Sequence, residues 1–187
     1  MGRVRVTDEA IGLVLNFWFV ENGPKQWFTH DPDFDAAIRD RFAGLAEKGA
    51  KGELTHWRGT ARGALAEIII LDQFPRNLYR GDARAFGCDA LALEAARQAL
   101  KNKADQAEDE SERVFLYLPF EHSEAAEDQE TSVRLCATLS DKSYLDWAEK
   151  HKKVIDSFGR YPHRNAVFGR PSTAEELAFL EEEGSSF

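Results

Sequence analysis

With 187 residues, 43% of them apolar, the chain can bury one sizeable core but is short for two. An 11% aromatic content, with 13 Phe and 4 Trp, excludes a disordered polymer, which lacks the burial to offset its ordering entropy. The net charge of −9 argues against a nucleic-acid partner, which needs an extended cationic footprint. The charge is uneven: residues 103–130 hold ten Asp/Glu against two Lys/Arg, and residues 142–170 hold seven Lys/Arg against three Asp/Glu. A local basic patch therefore remains compatible with the overall sign.

Helix signals recur along the chain. Thr7 is the expected N-cap of a first helix, with Asp8 and Glu9 in its first turn. Ile11, Val14, Leu15 and Trp18 follow at the spacing of one apolar face, which Phe17 and Phe19 widen, and Asn22-Gly23-Pro24 ends the element. Asp31 caps a second helix with Pro32 at its first position; Phe34, Ile38, Phe42 and Leu45 form its inner stripe, and Gly49 and Gly52 close it. Thr60 caps a third, Ala61 to Gln73, whose Ile68-Ile69-Ile70-Leu71 run fits a buried strand by periodicity but a helix by length. Pro75 is expected to force the chain out of helical geometry at Phe74.

Asp82 is expected to cap a fourth helix lined by Phe86, Ala90, Leu93 and Leu100. The charged stretch from Lys101 to Glu110 reads as a loop, and Ser111 starts a short helix ending at Pro119. Another helix runs from about Ala125 to Leu139, with Val133 and Cys136 inward. Asp141 or Ser143 opens the next, with Tyr144, Trp147, Ala148, His151, Val154, Ile155 and Phe158 as its stripe. Ser172-Thr173-Ala174-Glu175 reads as a capping box before Leu177 and Leu180. Gly12, Gly44 and Gly63 fall inside expected helices, where each costs about 1 kcal/mol relative to Ala, so close helix packing is expected at them.

Seven to nine helices joined by short connections make an all-α bundle or irregular α-solenoid, in one domain spanning residues 1–187. The tetratricopeptide signature does not recur at a 34-residue period. The first residues lack the apolar core of a signal peptide, and no apolar stretch is long enough to span a membrane, so the cytoplasm is the expected compartment. Cys88 and Cys136 stand apart without metal or disulfide spacing and read as buried thiols.

Chemistry-bearing residues gather at three helix exits: Leu71-Asp72-Gln73-Phe74-Pro75-Arg76-Asn77-Leu78-Tyr79-Arg80-Gly81, Leu118-Pro119-Phe120-Glu121-His122-Ser123-Glu124, and Phe158-Gly159-Arg160-Tyr161-Pro162-His163-Arg164-Asn165, continuing to Arg170. With the Phe17-Trp18-Phe19 helix, these ordered motifs resemble the bacterial family catalogued as domain of unknown function 924, along nearly the whole chain. The resemblance implies an all-α fold like that of tetratricopeptide-repeat proteins and implies no reaction. Tyr161 stands where the family pattern expects Phe, and Glu121 where Met is common.

Arg76, Arg80, Arg160, Arg164 and Arg170 have the fork that clamps a carboxylate or phosphate. His122 and His163 can move a proton, while Asp72, Glu121 or Glu124 can fix a histidine tautomer. Asn77 and Asn165 both donate and accept, and Trp18, Trp57 and Tyr161 can wall a pocket. Each has a structural counterpart: arginines stabilise helix C-termini, Asp72 can sit in an ion pair, His122 can be a hydrogen-bonded framework residue, and tryptophans fill cores. His30, His56 and His151 read as ordinary helix or cap residues. No P-loop, GxGxxG, GxSxG or HExxH occurs, and the sequence designates no metal, cofactor, oligomeric state or catalysed reaction.

Two functions compete. In one, the three exits converge into a polar pocket for a small anionic ligand, with Arg76, Arg160 and Arg164 holding the anion and His122 or His163 handling a proton. In the other, a helical scaffold presents a groove to a peptide or protein without catalysis. A purely structural polar network is the third reading.

Overall fold

Helix periodicity in the sequence becomes helix throughout the computed structural model, which describes residues 2–182 and 184–185, with side chains from residue 9 onward. Among the described residues there is no strand, and eleven α-helical segments occur, eight of them seven residues or longer. No described helix is long and apolar enough to cross a membrane. The chain divides into two compact units. The first comprises the residues up to Arg80 together with Arg84–Pro119, and the second Gly81–Ala83 together with the residues from Phe120 onward.

In the first unit, α1 (Gly2–Asn16) runs directly into a π-helical turn, Phe17–Glu21. Thr7, the expected N-cap, instead lies within α1, which begins at Gly2. A single-turn α2 (Pro24–Trp27) leads to α3 (Pro32–Ala50), where the Asp31 carboxylate accepts from the backbone N–H groups of Asp33 and Phe34 as anticipated. Thr60 caps α4 (Ala61–Ile68) by accepting from Gly63 N–H. Helical geometry continues through a π-helical turn, Ile69–Gln73, into α5 (Phe74–Leu78).

Phe74 therefore does not leave the helix, contrary to the expectation from Pro75. Its N–H bonds to the Ile69 carbonyl, five residues back. The widened turn puts Pro75 in the first turn of a new helix, where a missing N–H costs little. The aromatic stripes meet as a core: Phe17 stacks on Phe34 at 5.4 Å, and Trp18 contacts Phe34, Phe74 and Phe115 at 5.5, 5.8 and 5.6 Å.

The fourth helix begins later than expected. Residues Ala83–Phe86 form a 3-10 turn, and α6 (Asp89–Lys101) starts at Asp89, not at Asp82. Its buried face is Ala92, Ala95, Ala96 and Ala99, while Leu93 and Leu100 are half-buried and Ala90 is exposed. Small residues face inward because α6 packs against α4. The connector includes the short turn Ala104–Gln106, then α7 (Glu110–Glu121) passes through Pro119 instead of ending there. Pro119 gives up its bond to the Phe115 carbonyl, yet two more residues stay helical.

Of the three glycines expected inside helices, Gly12, Gly44 and Gly63, only Gly63 has a packing reason. A Cβ there would lie 2.1 Å from the Trp57 carbonyl oxygen, whereas nothing lies within 4 Å of a Cβ at Gly12 or Gly44.

In the second unit, α8 (Ala126–Cys136) packs against α9 (Ser143–Phe158). The buried face of α8 is polar, comprising Asp128, Gln129, Ser132 and Cys136, with Val133 half-buried. Gly159, at φ +68°, ends α9 in the left-handed conformation that favours glycine. A 3-10 turn, Pro162–Arg164, leads into a single-turn α10 (Asn165–Phe168) and then α11 (Ala174–Leu180). The capping box on α11 pairs Thr173 with Glu176, one residue later than Ser172 with Glu175. That shift leaves Leu177 exposed and brings Phe179 against Phe158 at 5.2 Å.

Candidate functional site

The first helix exit forms a self-satisfied network in the first unit. Asp72 is fully buried and accepts from Gln73 Nε2 at 2.7 Å, and Arg76 Nη1 donates to the Asp72 carbonyl at 2.6 Å. The Arg76 fork grips Asp89 at 2.8 and 3.1 Å. The Arg80 fork grips Asp35 at 3.1 and 2.9 Å and also donates to Asn77 Oδ1, while Asn77 Nδ2 donates to the Gln73 carbonyl. Trp18, anticipated as a ligand wall, is fully buried in the aromatic core. Trp57 is likewise buried. A cavity of about 220 Å³ in this unit is lined by Arg58, Thr60, Ala64, Asn102, Lys103 and Ala107 among others, and by none of the anticipated residues.

The second and third exits do come together, in the second unit. Glu124 accepts both prongs of Arg170, at 2.7 and 3.0 Å, and the Tyr161 backbone N–H at 2.9 Å. Burial raises the Glu124 carboxyl, but Arg170 and that N–H outweigh it and hold the group below the usual carboxylate range. The Tyr161 hydroxyl donates to the Glu121 carbonyl and accepts from Gln129 Nε2 at 2.8 Å. Positions 121 and 161, where the chain departs from the family pattern, are thus direct neighbours. Gln129 Nε2 also reaches the carbonyls of Glu121 and Ser123, each at 2.7 Å, so one amide ties the 121–123 turn to Tyr161.

Arg160 clamps Glu176 through Nε at 2.6 Å and Nη2 at 2.9 Å, and Asn165 Nδ2 donates to the same carboxylate at 3.2 Å. Those hydrogen bonds bring the Glu176 carboxyl down to about 2. Four of the five anticipated anion clamps (Arg76, Arg80, Arg160 and Arg170) therefore already hold a carboxylate of this chain in both prongs. Their geometry is that of a framework, because the planar fork is filled.

A different group clusters around Tyr161. The Arg164 guanidinium lies over its ring at 4.5 Å, and the His163 ring is 5.6 Å from it. His151, on α9, lies 5.8 Å from the Tyr161 ring and 6.4 Å from that of His122. His151 Nδ1 is 2.9 Å from the Trp147 carbonyl and 3.3 Å from Glu121 Oε1, which places its proton on Nδ1 and its lone pair on Nε2. Burial drives the His151 imidazole down to about 3; the Trp147 carbonyl opposes this, and the positive fields of His122, Arg164 and His163 add to it. Burial also pushes the Tyr161 phenol up and the Cys136 thiol up to about 12, the latter assisted by Glu121. Cys136 is an inert thiol.

The exits themselves supplied His122, His163 and Arg164, but His151 and Gln129 read in the sequence as helix residues. The available signal was positional. His151 stands on the inward stripe with Ala148, Val154 and Ile155, and Gln129 on the inward stripe with Ser132 and Cys136. A titratable or amide side chain on a buried stripe needs a partner. Among the described residues, no three His, Cys, Asp or Glu side chains are grouped to hold a metal ion.

These features define an all-helical protein whose second unit encloses a buried histidine–tyrosine–arginine cluster. The chain belongs to the family of bacterial proteins of unknown function designated DUF924, whose pattern matches residues 14–184. The solved structure of a protein of unknown function from Agrobacterium tumefaciens, ATU0120, superposes with a TM-score of 0.90 at 39% identity, covering 94% of this chain and 98% of that one. No protein of curated function matches the chain.

Proposed function

We propose that the second unit binds a small anionic ligand, a phosphate or carboxylate, at the cluster formed by Arg164, His163 and His122. The observation that supports this most is the gathering of these three cationic or potentially cationic groups around His151 and Tyr161. His122 and His163 are half-buried and open the cluster outward, while Arg164 is buried and supplies a fixed positive charge. In such surroundings a charge-assisted hydrogen bond is stronger than in water. His151 is held neutral by burial and is too weak a base to take a proton from a bound acid, so it shapes the cluster without adding charge. The two free, buried thiols fit a reducing compartment, the cytoplasm.

The test is a titration of the intact protein with inorganic phosphate, a phosphate monoester and a dicarboxylate, followed through the histidine ring resonances. Saturable shifts at His122 and His163 are expected with at least one anion. His163→Gln should weaken that binding about tenfold, the equivalent of one charge-assisted hydrogen bond of about 1.5 kcal/mol. Absence of any saturable shift with all three anions refutes the reading.

A further inference from the structure

The connector between α6 and α7 carries a buried carboxylate that takes no part in the site above. Glu108 is 5% exposed, and its Oε1 has no hydrogen-bond partner. Its Oε2 lies 3.2 Å from Arg62 Nη1 on α4, and the same nitrogen lies 2.7 Å from Glu112 Oε1 on α7. One guanidinium nitrogen therefore faces two carboxyl groups that are also within hydrogen-bonding reach of each other. Two ionised carboxylates that close, one of them buried, repel at short range, and one half-exposed Arg62 cannot neutralise both.

Arg113 on α7 directs Nη2 to the Glu108 backbone carbonyl at 3.3 Å, not to its carboxyl group. Asp105, in the connector turn, accepts from the Tyr117 hydroxyl at 3.2 Å and adds negative charge, as does Asp109 beside Glu108. Protonation of one carboxyl resolves the conflict, since the acid then donates to its neighbour. Burial and that shared hydrogen bond lift the Glu108 carboxyl to about 7, with Arg62 opposing.

We propose that Glu108 and Glu112 share a proton and, together with Arg62, form a pH-sensitive clasp that fastens the 102–109 connector onto α4 in mild acid and loosens it above neutrality. The carboxyl group holds its proton in the closed form at pH values where the opened connector would release it. The closed form is therefore favoured as pH falls from about 7 towards the ordinary glutamate range, and the advantage is lost as pH rises through 7.

Amide hydrogen exchange in residues 102–109 of the intact chain, corrected for intrinsic pH dependence, tests this. Protection should fall about tenfold between pH 6 and pH 8, the change in closed-state protonation for a group titrating near 7. Glu108→Gln carries a permanent donor towards Glu112 and should keep protection level across that range. Glu112→Gln removes the carboxylate that raises Glu108 and should move the fall to lower pH. A flat wild-type profile overturns the proposal, as does a Glu108→Gln profile that falls as the wild type does. If Glu108→Gln does not fold, carboxyl-carbon resonances of the wild type decide instead. Glu108 titrating near 7 supports the clasp, and titration near 4.5 overturns it.

Discussion

His151 offers a test in which two opposing effects have computable sizes. Its imidazole is 6% exposed and has Glu121 Oε1 3.3 Å from Nδ1, an arrangement that would favour the imidazolium. Against this stand burial and the positive fields of His122, Arg164 and His163, which bring the group down to about 3. If burial wins, the unfolded chain binds a proton on His151 between about pH 6.5 and 3 while the native chain does not. Stability then rises with pH in that window and is lost on acidification, at about 1.4 kcal/mol per pH unit. From pH 6.5 to pH 5 the loss is about 2 kcal/mol. Glu124 and Glu176, whose carboxyls are depressed, also lose stability in acid, and Glu108 works the other way. The measurement is therefore a difference: urea unfolding of the wild type and of His151→Gln at pH 7 and pH 5. The wild type should lose about 2 kcal/mol more than the variant. Equal losses, or a His151 ring that titrates at or above 6.5 by NMR, would mean that Glu121 holds an imidazolium and that the neutral assignment of His151 is wrong.

Other substitutions probe the framework. Glu67→Gln breaks the buried fork between Arg58 and Glu67, at 2.8 and 3.0 Å, and should cost about 3 kcal/mol in urea unfolding, whereas Arg58→Met with Glu67→Leu should recover most of it. Gly63→Ala drives a Cβ into the Trp57 carbonyl oxygen and should cost about 3 kcal/mol or more by the same assay, while Gly44→Ala should not destabilise. Cys136, fully buried with its thiol up at about 12, should resist iodoacetamide at pH 8 in the native protein and react once the chain is unfolded.

The helical class was legible because the apolar stripes of α3, α4 and α9 are strong, and because Asp31 and Thr60 are side-chain caps of the expected kind. Boundaries failed where hydrogen-bond frames shift. The π-helical turn Ile69–Gln73 lets Pro75 begin a helix, and no residue type announces such a turn. The inner face of α6 misled for another reason. Pattern reading assigns leucines to the core, but close packing against α4 selected Ala92, Ala95, Ala96 and Ala99. At the site, the exits revealed which side chains carry charge but not which carboxylate each arginine meets. The partners Asp89, Asp35 and Glu176 lie 13, 45 and 16 residues from theirs.

That the Arg170 fork is already filled yields the most discriminating prediction. Arg170 and Glu124 sit beside the cluster, and Arg170 also reaches the Tyr161 carbonyl at 3.2 Å, so proximity alone would make it a ligand-binding residue. Its two prongs are nonetheless occupied, and an incoming anion would have to displace a carboxylate already matched to them. Replacing both partners together, Arg170→Met with Glu124→Gln, removes a pair without leaving either charge exposed to repulsion. The double variant should melt at a lower temperature yet retain anion-induced shifts at His122 and His163. His163→Gln should do the reverse, keeping the melting temperature while raising the anion concentration needed for the His122 shift about tenfold. If the double variant instead abolishes anion binding while remaining folded, Arg170 belongs to the binding set and the framework assignment of the filled forks is wrong.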